Sequence, residues 1–339
     1  MVQISIGQTV LGGLLIAAAS SLLLYSYGRL IGESGFIARN LRKDGGWINW
    51  QLTFLIGMIL APNLLHWIFN GSITINGSPV YFFNTALSSS NNVIGWLIGG
   101  LLVGIGARMG CGCTSGHIIT GLPRLTKRSI FATVIILGFG FLMSNLKNHL
   151  GFLTNESESL TFSSDTEAII SYVIFAIIIV SYIFGFVCEF ASISLAEHIF
   201  MFLCGFIFGA GLLISGLCNN AKVMEFLTFS SSWDLTIGVV FAVAVVTNFL
   251  LFLIISKAGA RNGMIEDPPS GVHTSLMIGC ALFGLGWGFC GISPGSALIL
   301  VIAQPNSVYF FVFMILGMIL YDKNIFSLRK GGALEESLL

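Results

Sequence analysis

The feature that most constrains this chain is a series of apolar runs, each of roughly 20 residues and separated by short polar breaks, over nearly its whole length. Runs of that length match the hydrocarbon core of a bilayer, where a helix satisfies all of its own backbone hydrogen bonds. With 55% apolar and only 9% charged residues, the chain lacks the charged surface of a soluble domain, which is about a quarter charged. The lipid bilayer is therefore its expected solvent. Fifteen Lys and Arg balance fifteen Asp and Glu, so neither a nucleic-acid partner nor a polybasic membrane tether is indicated. The first run, from Gly7 to Leu24, has no basic segment before it and is read as a span and not a cleaved leader. The seven cysteines all sit in or beside apolar segments, which argues against a disulfide framework.

The expected fold class is an all-α membrane protein of about nine transmembrane helices, near 7–28, 48–69, 93–109, 128–147, 168–188, 195–217, 235–256, 273–290 and 306–321. Basic residues gather after the first span (Arg29, Arg39, Arg42, Lys43), the third (Arg124, Lys127, Arg128), the seventh (Lys257, Arg261) and the ninth (Lys323, Arg329, Lys330). Positive-inside bias makes those regions cytoplasmic and puts the amino terminus outside, with the plasma membrane as the expected location. A constant shift lays Ile98, Gly99, Leu102, Gly104, Gly106 and Ile119 on Ile278, Gly279, Leu282, Gly284, Gly286 and Ile299 without a gap. A second shift lays Gly12, Ala17, Leu24 and Arg29 on Gly205, Ala210, Leu217 and Lys222. An odd span between two such halves turns the second upside down, which is the plan of many transporters. The expected units are a first four-span repeat over 1–150, an external loop with the linking fifth span over 151–190, a second, inverted repeat over 191–322 and a cytoplasmic tail over 323–339.

Two segments carry the functional expectation. The third span runs into Gly104-Ile-Gly106-Ala-Arg108-Met-Gly110-Cys-Gly112-Cys113-Thr114-Ser115-Gly116-His117, where glycine, Thr and Ser are expected to interrupt the helix, with Cys113 to Ser115 placed to cap the short helix that resumes at Ile118. Its counterpart runs through Gly286-Trp-Gly288-Phe-Cys290-Gly291-Ile-Ser293-Pro294-Gly295. Ser293 suits an N-cap and Pro294 a first helical position. In an inverted repeat the two broken helices meet near the midplane, and their free N–H groups make an anion site. Close glycine packing between helices is the plainer alternative, but it does not call for cap residues at both breaks.

These residues resemble the two signatures of the YeeE/YedE family of sulfur-compound membrane transporters. Gly28-Arg29-x-x-Gly32-x-Ser34-Gly35 is similar to the family's first-span end, and Ser215-Gly-Leu-Cys218-Asn-Asn-Ala-Lys222-Val with Trp233-Asp234 is similar to the start of its second half. The resemblance extends from about Gly12 to Leu320 and looks like a fusion of two half-proteins. It implies uptake of thiosulfate, with cysteine thiols handing the anion along by S–H···S hydrogen bonds. Cys113 matches the first-signature cysteine. Where the second signature usually reads Cys-Pro-Gly, this chain has Ser293-Pro294-Gly295, with Cys290 three residues earlier, and the cysteine that bacterial members place near the end of the first span is absent.

The expected solute path comprises Cys113, Thr114, Ser115, His117, Cys218, Cys290 and Ser293, with Arg108 and Lys222 drawing an anion to its mouths. Snorkelling at helix ends is the plainer role for these two cations. Cys188, Cys204 and Cys280 read as packing, His66, His198 and His273 as interfacial tips, and Glu189 and Glu197 as solvated. Zinc on Cys111, Cys113 and His117 would lack a fourth ligand, so neither a metal nor a cofactor is expected. The partners are then a small sulfur-containing anion, thiosulfate foremost, the bilayer, and a cytoplasmic sulfurtransferase as candidate acceptor. The rival function is a membrane-embedded sulfurtransferase-like enzyme using Cys113 covalently, with His117 as base and Cys111 as resolving thiol.

Overall fold

The computed structural model describes residues 4–42, 49–70, 72–75, 78–81, 93–151, 195–231, 233–261, 264–265, 271–303 and 307–323. The fifth span expected over 168–188, with Cys188 and Glu189, lies outside them, as do nearly all of the linking segment and the tail. The long helices are α1 (Ile6–Tyr27), α3 (Trp50–Ile68), α4 (Val93–Met109), α5 (Lys127–Leu150), α6 (Leu195–Ile214), α8 (Thr236–Ala258), α9 (Thr274–Cys290) and α11 (Val308–Asp322). Three shorter helices, α2 (Glu33–Arg42), α7 (Asn220–Leu227) and α10 (Pro294–Ala303), sit between them. Helices α1, α3, α5, α6 and α8 are long and apolar enough to cross a bilayer, and α9 with α10 makes a sixth span if that pair, bent by 41°, counts as one. Helices α4 and α11 are apolar and shorter. Among the described residues the fold departs from purely helical at one antiparallel hairpin, β1 (Ser72–Ile75) with β2 (Ser78–Tyr81), whose register pairs Ser72 with Tyr81.

Local chemistry sets the helix ends. Ser5 and Gln8 form a capping box at the start of α1, and Gly28 ends that helix with φ 69°. Asn49 and Thr126 cap α3 and α5 by accepting from Leu52 N and Ser129 N. Arg29, just after α1, pairs with Glu197 at 2.7 Å and lies over the Trp50 ring at 4.7 Å. Glu197 is thus an ion-pair partner, not a freely solvated group. His198 is likewise buried, with Nδ1 2.7 Å from Thr53 Oγ1, so its expected interfacial role is corrected.

Large apolar side chains face outward, among them Phe131, Val134 and Leu142 on α5 and Val246, Leu250 and Ile254 on α8. In lipid such a surface is favourable. Helix α4 packs on α9 and α11, α9 also on α5, α1 on α6 and α8, and α3 on α6. Glycine makes the approaches close. A Cβ at Gly104 would strike the Met314 carbonyl, one at Gly106 the Phe283 backbone, one at Gly286 would lie 2.8 Å from Gly99 O, and one at Gly288 would strike Gly140. Helix α4 therefore runs unbroken through Gly104 and Gly106, and α9 through Gly286 and Gly288, because neighbouring backbones fill the space a side chain would need. The expectation that these glycines interrupt their helices is corrected: they pack, and the interruptions come later.

Candidate functional site

The first interruption lies at Gly110–Cys113. Gly110 N still donates to Gly106 O at 2.7 Å, Cys111 turns left-handed at φ 52°, and Gly112 N reaches back to Ala107 O at 2.9 Å. That last bond closes the helix end as in a Schellman motif, with Cys111 where glycine is usual. The chain resumes as a π-helix, Ser115–Gly121, followed by a 3₁₀ turn, Leu122–Arg124. Thr114 is buried, has helical backbone angles and makes no side-chain cap bond, so the expected capping at this break is not found. His117 fixes the geometry instead: its Nε2 donates to Gly110 O at 2.9 Å, and its ring covers Gly112, where a Cβ would lie 2.7 Å from Nε2.

The second interruption lies at the end of α9. Gly291 closes that helix at φ 70°, with N donating to Trp287 O at 2.7 Å, and Pro294 begins α10. Ser293 Oγ lies 3.5 Å from Ser296 N and 3.1 Å from Ser296 Oγ, a long N-cap contact.

Both interruptions meet the start of α2. Cys113 Sγ donates to Glu33 Oε2 at 3.5 Å and lies 3.1 Å from Ser115 Oγ. Ser115 Oγ also donates to Glu33 Oε2. On the other side, a Cβ at Gly295 would lie 2.6 Å from Glu33 Oε1. Ser296 Oγ donates to Leu217 O at 2.9 Å, and Cys218 lies against Ser296 within electrostatic reach of Glu33. Glu33, Cys113, Ser115, Cys218 and Ser296 are each 2% exposed or less. A buried polar junction thus sits inside an apolar bundle. The π-helix is held to it by Thr120 Oγ1, which donates to Ile31 O at 3.1 Å, and by Asn248 Nδ2, which donates to Ile119 O at 2.9 Å while Asn248 Oδ1 accepts from Ser20 and Ser21.

The other expected site residues lie elsewhere. Cys290 Sγ turns to α4, 3.5 Å from Gly95 O and against Gly99. Arg108, 4% exposed, gives Nε and a terminal nitrogen to Asp322 Oδ1 at 2.9 and 2.7 Å. Lys222 pairs with Glu225 at 2.7 Å and Asp234 at 3.1 Å. Both cations are therefore matched by carboxylates. Gly116 has open space where a Cβ would stand. Among the described residues no three His, Cys, Asp or Glu side chains gather as a metal would require. Glu33, Asn248 and Asp322 escaped the sequence reading. A lone acidic residue in a sparsely charged chain, just past a helix-ending glycine, was the available signal for Glu33.

Membrane-length helices with apolar outer faces, interrupted around a buried polar junction, have the build of a polytopic membrane transporter. Residues 4–142 match the sulphur transport family, and residues 196–330 match a family of unknown function (DUF6691). A probable transporter of Xylella fastidiosa strain Temecula1 is 38% identical over 128 residues, which cover 38% of this chain and 84% of that protein. A second probable transporter of the same strain is 29% identical over 126 residues, covering 35% of this chain and 84% of the relative. The thiosulfate transporter TsuA of Spirochaeta thermophila is 29% identical over 128 residues, 32% of this chain and 36% of that protein. The chain belongs to the YeeE/YedE sulphur transport family, in an arrangement that fits a fusion of two half-proteins.

Proposed function

We propose that this transporter takes up thiosulfate, or a closely related small sulfur-containing anion, through a constriction at Cys113, Ser115, Cys218 and Ser296. The observation that carries it is the burial of two thiols and two hydroxyls at the junction of the interrupted helices. A soft thiol donor suits a terminal sulfur that is larger and less tightly hydrated than a sulfate oxygen, while hydroxyls suit the remaining oxygens. Thr114, His117 and Ser293 then shape the constriction through its backbone, and Cys290 serves the α4–α9 contact beside it. The thiosulfate transporter relative supports the choice of solute.

The proposed architecture has nine spans, the fifth within 168–188, in two inverted repeats with the junction near the midplane. Support comes from the packing, because exchanging each element for its mate turns the α4–α11 pair into α9–α5 and α1–α8 into α6–α3, and all four pairs occur. The alternation of nine spans puts Arg29 with Glu197 and Arg108 with Asp322 on one side, and these do pair; the proposed orientation, amino terminus outside and carboxyl terminus in the cytoplasm of a plasma-membrane protein, rests on the basic residues alone. A cytoplasmic sulfurtransferase is the class of partner such an importer would feed.

The test is flux of radiolabelled thiosulfate into liposomes containing only this chain. A buried polar group left poorly matched costs about 1–3 kcal/mol, so thiosulfate should be preferred over sulfate by roughly tenfold to a hundredfold. Excess unlabelled sulfate should barely reduce uptake. Should sulfate compete as well as unlabelled thiosulfate does, the thiols are not the selectivity element.

A further inference from the structure

We propose that Glu33 is a proton-carrying gate, its carboxylate filling the anion seat when the seat is empty and taking up one proton for each anion admitted. This rests on the anion-transport function proposed above.

Glu33 begins α2 and is 2% exposed. Its Oε2 accepts from both Cys113 Sγ and Ser115 Oγ, and Oε1 lies against Gly295 at the start of α10. The donors expected to hold a solute therefore already hold a carboxylate of the chain itself. Beside Glu33 in the chain, Ser34 Oγ is buried and has no hydrogen-bond partner among the described residues. An unsatisfied hydroxyl at that point fits an oxygen of an incoming anion.

No cation balances Glu33 among the described residues. Cys113 faces it directly and Cys218 lies in electrostatic reach across the junction. On α4 and α11, Arg108 and Asp322 neutralise each other, and Arg42, the last residue of α2, sits 4.0 Å from that same Asp322. Arg42 is nine residues from Glu33, or about 14 Å along a helix, and Arg39 six residues, or about 9 Å. His117 of the π-helix is turned to Gly110 O, His66 lies toward the far end of α3, and α10 carries no titratable side chain.

Two like charges do not share a buried site, so an anion reaching Cys113 and Ser115 requires Glu33 to lose its charge or its place. Protonation removes the charge. A neutral carboxyl group is a weaker acceptor, so it yields the two donors to an incoming anion more easily, and it gains an O–H of its own to offer that anion. The proton comes from water on the side of anion entry and returns to water on the other side, and no bond to sulfur is made or broken.

The experiment uses the purified chain in liposomes that enclose a pH-sensitive dye, with a thiosulfate gradient directed inward. Wild-type protein should acidify the lumen as thiosulfate enters, and on the alkaline side of the titration uptake should rise about tenfold per pH unit lowered. Glu33→Gln, which keeps a donor and loses the proton, should carry thiosulfate at a pH-independent rate without acidification. Glu33→Asp should retain both responses. Acidification by Glu33→Gln equal to wild type overturns the gate. If Glu33→Gln fails to insert, the wild-type vesicles decide, since thiosulfate entry without acidification overturns the gate while leaving the thiosulfate function intact. Sulfate and nitrate gradients run in parallel, and acidification with one of them but no thiosulfate entry supports the gate and overturns the choice of solute. Entry of no anion overturns both.

Discussion

Cys113 Sγ donates to Glu33 Oε2 at 3.5 Å across 80 residues of chain. A thiol that the signature motif offers to a solute is thus satisfied within the protein. Ser115 shares the same acceptor oxygen, so the resting junction holds one carboxylate in two donors' grasp.

Removing the thiol should therefore disable the seat without disturbing the fold. Cys113→Ala is expected to lower thiosulfate uptake roughly tenfold to a hundredfold, because a hydrogen bond to a charged group is worth about 1.5–3 kcal/mol. Cys280→Ala, in α9 beside Gly110 but outside the hydrogen bonds to Glu33, should leave uptake nearly unchanged. Flux per inserted protein measures both, and equal small effects would sink the role given to Cys113.

Two glycines separate steric effects at the junction from general helix effects. A Cβ at Gly295 would lie 2.6 Å from Glu33 Oε1, whereas one at Gly116 meets nothing within 4 Å. Gly295→Ala should displace the carboxylate and impair uptake severalfold, and Gly116→Ala should be tolerated. Uptake assays on both variants, normalised to inserted protein, test the contrast, and an uptake defect confined to Gly116→Ala would refute it.

Arg108 and Asp322 bind each other where α4 and α11 end. Removing Asp322 leaves the buried Arg108 uncompensated, at a cost of about 3–5 kcal/mol, and removing Arg108 costs less because Arg42 still lies 4.0 Å from Asp322. Arg108→Gln and Asp322→Asn should each lower the thermal stability of the detergent-solubilised protein, and the double variant should lose less than the sum of the two. Strict additivity in a thermal-unfolding series would show that the pair is not coupled.

The placement of the basic residues sets the sidedness. Reporter tags inserted after Leu125 and after Lys330 should report the cytoplasm, and tags near Gly77 and Asn155 the outside. Protease or dye accessibility on sealed vesicles distinguishes the outcomes, and the reverse pattern would invert the proposed orientation.

The sequence by itself determined that the chain is helical and membrane-bound, because apolar runs of bilayer length have few other ways to satisfy their backbones. It also located both interruptions to within a few residues, since a left-handed turn at Gly291 and the Ser293–Pro294 pair are local chemistry. Tertiary structure alone decided that Gly104 and Gly106 pack against neighbouring backbones, and that the turn falls later, at Cys111 with φ 52°. It decided that Arg108 is already paired, through a carboxylate more than 200 residues away, whereas Lys222 pairs close by, with Glu225 three residues on and Asp234 twelve on. Above all it brought Glu33 between the two interruptions. A lone acid just past a helix-ending glycine marks Glu33 as unusual but does not give that position, because a residue's role at a buried junction depends on what lies across from it, and the residues across from Glu33 come from segments far along the chain.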